Sequence, residues 1–112
     1  MSESISMPAF KTYIEKKLKK KIIIKVIWND QGKLTLFTTP NMKISSFIYD
    51  EREGYLFYDQ DGKEVNDHIP CILAPENLID GQIKLDSSLR INGAPLTKEE
   101  KTFLKKEGSN DK

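Results

Sequence analysis

Apolar residues recur every three or four positions from Met7 to Leu18, then crowd together in residues 22–28, IIIKVIW. Met7, Phe10, Ile14 and Leu18 line one side of a predicted helix. It starts near Ser6 and carries Pro8 in its first turn, where a missing N–H costs little. At about 100° per residue, Lys16, Lys19 and Lys20 lie opposite that stripe. Lys17 and Lys21 fall inside it, so the helix is expected to end near Leu18. Six of the seven residues of IIIKVIW are apolar and several are β-branched, the composition of a central strand covered on both faces. Asn29-Asp30-Gln31-Gly32 is a turn, and KLTLFTT alternates behind it, so a hairpin is expected here.

Residues 40–53 fit two periods. Ile44, Phe47, Ile48 and Glu51 suit a helix capped by Thr39, opened by Pro40 and stopped by Gly54. Strand alternation puts Met42, Ile44 and Ile48 on one side and Phe47 and Tyr49 on the other, and the composition leans this way. YLFYD is a strand, Asp59-Gln60-Asp61-Gly62 a turn, and KEVNDHI a weaker strand stopping at Pro70. APENLIDG reads as one helical turn opened by Pro75, and QIKLD and LRING as short strands. Thr97 and Glu100 form a capping box that opens a helix through Phe103 and Leu104 toward Gly108. Residues 1–6 and 109–112 are expected to be flexible, with 7–108 as one domain.

Two architectures follow. If residues 42–50 are a strand, the fold is mainly β: a small antiparallel meander or barrel with an N-terminal and a C-terminal helix. That element order resembles SH3-like and Sm-like barrels. If residues 40–53 are helical, the order hairpin, helix, strand, strand resembles the ubiquitin-like β-grasp, an α+β fold, with LIDGQIKL in its last strand. Both resemblances rest on element order alone.

Composition narrows the function. The chain has 112 residues, 38% of them apolar, enough for one core without metal or disulfide staples. Net charge is +1, but its distribution is uneven. Residues 1–25 hold seven lysines against two glutamates, and residues 26–96 hold six basic against eleven acidic residues, a basic arm on an acidic body. Cys71 is the only cysteine, which fits a reducing compartment. No signal-peptide pattern and no apolar run near 20 residues appears, so an intracellular protein with no membrane partner is expected.

No catalytic, cofactor or metal residue can be assigned. His68 and Cys71 stand three apart, so on one strand they would face opposite sides. Structural zinc wants four ligands, and the chain offers one His and one Cys. Asp59-Gln60-Asp61-Gly62 lacks the third ligand position, later glutamate and flanking helices of a calcium loop. Two binding features remain. Lys16, Lys17, Lys19, Lys20 and Lys21 are candidates to meet phosphate or an acidic partner. If Glu51-Arg52-Glu53 closes a hairpin, Tyr49 lies opposite Tyr55 and Phe47 opposite Phe57, one aromatic face that is either core or partner surface. The leading expectation is a non-enzymatic protein that binds another protein as adaptor, subunit or inhibitor. The alternative is a nucleic-acid-binding module using the lysine-rich helix on DNA or RNA. A free strand edge would also admit a second copy of the chain.

Overall fold

The structure, a computed structural model, describes residues 4–29, 32–86 and 88–109. In chain order the elements are β1 (Ser4–Ile5), α1 (Met7–Leu18), β2 (Ile23–Asn29), β3 (Gly32–Thr38), β4 (Ser46–Asp50), β5 (Gly54–Tyr58), β6 (Cys71–Leu73), β7 (Leu78–Ile79), β8 (Gln82–Lys84), β9 (Arg90–Ile91), β10 (Ala94–Pro95) and α2 (Lys98–Ser109). Single 3-10 turns lie at Asn66–His68 and Pro75–Asn77. The protein is mainly antiparallel β with a helix near each end.

The organising element is β3, hydrogen-bonded between β2 and β6. Leu34, Thr35, Leu36, Phe37 and Thr38 are all buried, so β3 has a core on each face. Phe37, with Cys71 opposite it, faces a cluster built by Phe10 and Ile14 of α1, Ile5 of β1, Ile83 of β8 and Leu104 of α2. Phe10 meets Phe37 edge to face, ring centroids 5.4 Å apart. Leu34 and Leu36 point the other way, into a second cluster with Phe57, Val65 and Ile69. The β4–β5 hairpin covers that side through Phe47 and Tyr55. Each fully buried Leu or Phe contributes roughly 1.5–3 kcal/mol, so a strand with residues in two cores anchors both.

The ends of the helices follow the sequence. Ser6 caps α1, its hydroxyl accepting the Ala9 N–H at 3.3 Å, and α1 stops at Leu18. Lys19 then turns left-handed at φ 55°. Thr97 and Glu100 complete the reciprocal capping box, both bonds at 3.0 Å. No helix among the described residues is long and apolar enough to cross a membrane.

Five expectations are corrected. The central strand is β3, whereas β2 is an edge strand. A run of β-branched residues reads as buried, but β6 takes the other edge of β3 and leaves β2 outside. Residues 40–53 contain no helix: 46–50 pair with β5, and the Asp50 carboxylate accepts the Arg52 and Glu53 N–H groups at 2.8 and 3.0 Å to hold the turn. The β-grasp arrangement is thereby excluded. The sheets are four, small and open, and among the described residues no barrel closes.

The break in the meander comes after β5, where KEVNDHI does not form a strand. Only Glu64 bridges Tyr58, and then the Asn66 side chain takes the place of a neighbouring strand. Its Oδ1 accepts the Phe57 N–H at 2.7 Å and its Nδ2 donates to the Tyr55 carbonyl at 2.8 Å. Ser4 and Ile5 pair with Lys84 and Ile83, and Ile5 is buried; of the segments expected to be flexible, residues 1–3 and 110–112 lie outside the described residues. Finally, the helical turn expected in APENLIDG shrinks to Pro75–Asn77. Asp80 and Gly81, at φ 52° and 79°, then form a two-residue hairpin loop between β7 and β8.

Candidate interaction surface

The lysine arm is built by the way α1 hands over to β2. Glu15 ties the corner, its Oε2 accepting the Ile22 backbone N–H at 3.0 Å and the Lys11 ammonium at 3.3 Å. Those donors, Ile22 first, hold the Glu15 carboxyl below its ordinary pKa, with a further contribution from the charge of Lys21. The chain between, Lys19 to Lys21, is exposed. Of the five candidate lysines, Lys17 pairs with an acid of the chain's own: its ammonium donates to Glu100 of α2. The Tyr13 hydroxyl donates to the same oxygen. Burial opposes the charge on Glu100, but the Lys17, Tyr13 and Thr97 donors outweigh it and hold the pKa at about 2. Tyr13 is pushed the other way, by burial and then by Glu100. Lys16, Lys19, Lys20 and Lys21 are exposed and form no salt bridge among the described residues.

Directly after this corner, β2 presents Ile24, Val26 and Trp28, which are 39%, 48% and 72% exposed. These three share a face with Phe37 of β3, but α1 and its cluster sit over Phe37 and β6 and leave the β2 side uncovered. Their backbone is open as well. Asn29 pairs with Gly32 across a two-residue loop, which forces that pair to be a hydrogen-bonded one. Alternation along the ladder then makes Ile24, Val26 and Trp28 the residues whose N–H and C=O groups point away from β3. Among the described residues nothing pairs with that edge. Lys33, exposed, stands opposite Trp28 on the same face. The surface therefore combines an apolar stripe, an open strand edge and lysines at its entry and beside its far end.

The aromatic row has the expected register: Phe47 opposite Phe57 and Tyr49 opposite Tyr55, with centroids 5.7 and 5.1 Å apart. Its face turns toward the second core. Phe57 is fully buried and Phe47 and Tyr55 are half-buried, which leaves Tyr49 exposed at the hairpin tip. Ile48, on the opposite face, is exposed too.

The groups that carry chemistry elsewhere are occupied or separated. Cys71 is 2% exposed, and burial pushes its thiol up to about 12, so it stays protonated near neutral pH. Cys71 and His68 line different clefts, of about 310 and 330 Å³. The Asp59 carboxylate accepts the Asp61 and Lys63 N–H groups at 2.9 and 3.0 Å, the work of a turn residue. Asp86 is held below its ordinary pKa chiefly by the Ser88 hydroxyl, which in turn accepts from Asn77. Among the described residues no group of three or more His, Cys, Asp or Glu is placed to hold a metal ion.

Sequence reasoning missed the Ile24-Val26-Trp28 stripe because it took all of IIIKVIW as interior. The available signal was Trp28 at the hairpin tip, next to a turn, where a large ring is hard to enclose. Compared with known proteins, the chain matches no family model, no curated protein and no solved structure.

Proposed function

We propose that this protein is a non-enzymatic binding module that holds another protein at the free edge of β2. The observation that carries this reading is the joint exposure of three apolar side chains and the unpaired backbone of the same three residues. Exposed, apolar edge strands invite pairing, and proteins that tolerate one without a partner blunt it with a bulge, a proline or an inward charge. β2 has an unbroken ladder, no proline and one lysine, Lys25, whose ammonium is turned to the Met42 carbonyl at 3.0 Å. A partner strand would satisfy the open N–H and C=O groups and cover the stripe together. The lone buried thiol of Cys71 is in keeping with an intracellular setting.

A photo-crosslinker in place of Trp28 tests the reading in the native cell. One discrete protein adduct is expected, lost when Val26→Asp puts a charge on the stripe. Adducts to nucleic acid alone, or none, would reject it.

The second reading, a nucleic-acid-binding module, is favoured by Lys16, Lys19, Lys20 and Lys21, exposed and without a salt bridge among the described residues, with an exposed tryptophan at the far end of the strand that follows them. Fluorescence polarisation with DNA and RNA oligonucleotides across salt separates the two. Tight binding that weakens steeply with salt, and collapses on Lys16, Lys19, Lys20 and Lys21→Ala, would establish the second reading over the first.

A further inference from the structure

We infer that the partner segment is an extended acidic peptide that adds to β2 as an antiparallel strand, its apolar residues alternating and its carboxylates lying toward its C-terminal end. The inference rests on the β2 edge reading above and adds to it the charge and direction of what binds there.

Charge selects the partner. The entry end of β2 carries Lys19, Lys20 and Lys21, all exposed and without a salt bridge among the described residues, and Lys33 stands beside Trp28 at the other end. Two of the chain's own acids on the α1 side of this corner are already engaged: Glu15 is bound to Ile22 and Lys11, and Glu100 to Lys17, Tyr13 and Thr97. A segment laid along the stripe therefore runs from Lys33 to the three-lysine corner and gains from negative charge beside that corner.

The same charges argue against a second copy. An antiparallel pairing of two β2 strands centred on Val26 sets Ile24 against Trp28, an acceptable apolar match. It also sets the Lys19 to Lys21 corner of each copy toward the end of the other that carries Trp28 and Lys33, lysines against lysine at both ends of the pair. Nucleic acid is disfavoured by the edge itself. Phosphates answer lysines, and a base can stack on Trp28, but neither completes a ladder of alternating donors and acceptors or covers Ile24 and Val26.

Direction follows from ladder geometry. Antiparallel pairing is the more stable of the two arrangements per residue. In that orientation the residues of the partner that pass Trp28 come first and those beside Ile23 come last, so the acids that meet Lys19, Lys20 and Lys21 follow the apolar positions.

The test is selection of a displayed library of random twelve-residue peptides against the full chain. It is run in parallel on the wild type, on Lys19→Gln/Lys20→Gln/Lys21→Gln, and on Val26→Asp. All substituted positions are exposed, so the fold should survive, and circular dichroism checks that it does. Enriched peptides are expected to alternate apolar residues and to end in Asp or Glu. The best of them should bind about tenfold more weakly to the triple-lysine variant at ~0.15 M salt, the sum of a few exposed ion pairs. Bound peptide should slow amide exchange at Ile24, Val26 and Trp28. Apolar peptides enriched without acids, or acids before the apolar positions, would overturn the inference and leave the edge reading standing. No enrichment over Val26→Asp would overturn both. An oligonucleotide bound more tightly than any peptide, or a stable dimer in sedimentation that excludes peptide, would overturn the inference in favour of that occupant.

Discussion

Replacing Glu100 by Gln should destabilise the protein at neutral pH and do so progressively less in acid. Glutamine keeps the shape of the capping box and can still accept the Thr97 N–H, so the change isolates the negative charge that Lys17 and Tyr13 address. A carboxyl lowered from 4.5 to about 2 corresponds to at most about 3 kcal/mol at 1.36 kcal/mol per unit. Lys17 is 38% exposed, so solvent screens the pair, and a loss of about 1–2 kcal/mol at pH 7 is expected. Because the folded pKa lies below the unfolded one, this stability is present above about 4.5 and drains away as the pH falls toward 2. At pH 3 roughly 40% of the difference should remain. Glu15 and Asp86, whose pKa values are also lowered, weaken the wild type in acid as well, so the informative quantity is the gap between wild type and Glu100→Gln. Urea unfolding at pH 7, 5 and 3 measures it. A gap that is unchanged at pH 3, or absent at pH 7, would refute the assignment of Glu100 as the charged link between α1 and α2.

Asn66→Ala removes the side chain that stands in for a strand beside β5, leaving the Phe57 N–H and Tyr55 carbonyl unmatched; a loss of about 1–3 kcal/mol in urea unfolding is expected, and a neutral result would mean water replaces it freely. Native Cys71 should react with a thiol reagent only as fast as the core opens, and a rate equal to that of the unfolded chain at pH 8 would contradict its burial. Trp28, the sole tryptophan, should be quenched by acrylamide nearly as well as in the unfolded chain, and Trp28→Ala should change stability by under about 0.5 kcal/mol; strong protection from quencher would show the stripe already covered.

What the sequence made legible was local. The limits of α1, the β2–β3 and β4–β5 hairpins, the Asp59 turn and the Thr97–Glu100 box all depend on residues within a few positions of each other. The aromatic register followed from a short loop in the same way. Which strand is central did not, because it turns on β6, three residues recruited from 33 positions beyond the end of β3. Nor did the β7–β8 and β9–β10 hairpins, although Asp80-Gly81 and Asn92-Gly93 are strong two-residue turn signals, since two- and three-residue strands show no alternation to flank them. Of the candidate surface, the lysines were visible as composition. The open edge beside them was not, because exposure of Ile24, Val26 and Trp28 is a property of what fails to cover them.

Because β3 belongs to both clusters, neither can come apart alone. Detaching the β4–β5 hairpin exposes Leu34 and Leu36, and detaching the helices exposes Phe37, on opposite sides of one five-residue stretch. The two sides are thus thermodynamically coupled through a shared wall, and they should melt as one cooperative unit. β2 is attached to that wall along its whole length by seven register pairs. A strand docking on β2 would therefore reinforce the unit as a whole, and its effect would be felt at Leu104 and Phe57 alike.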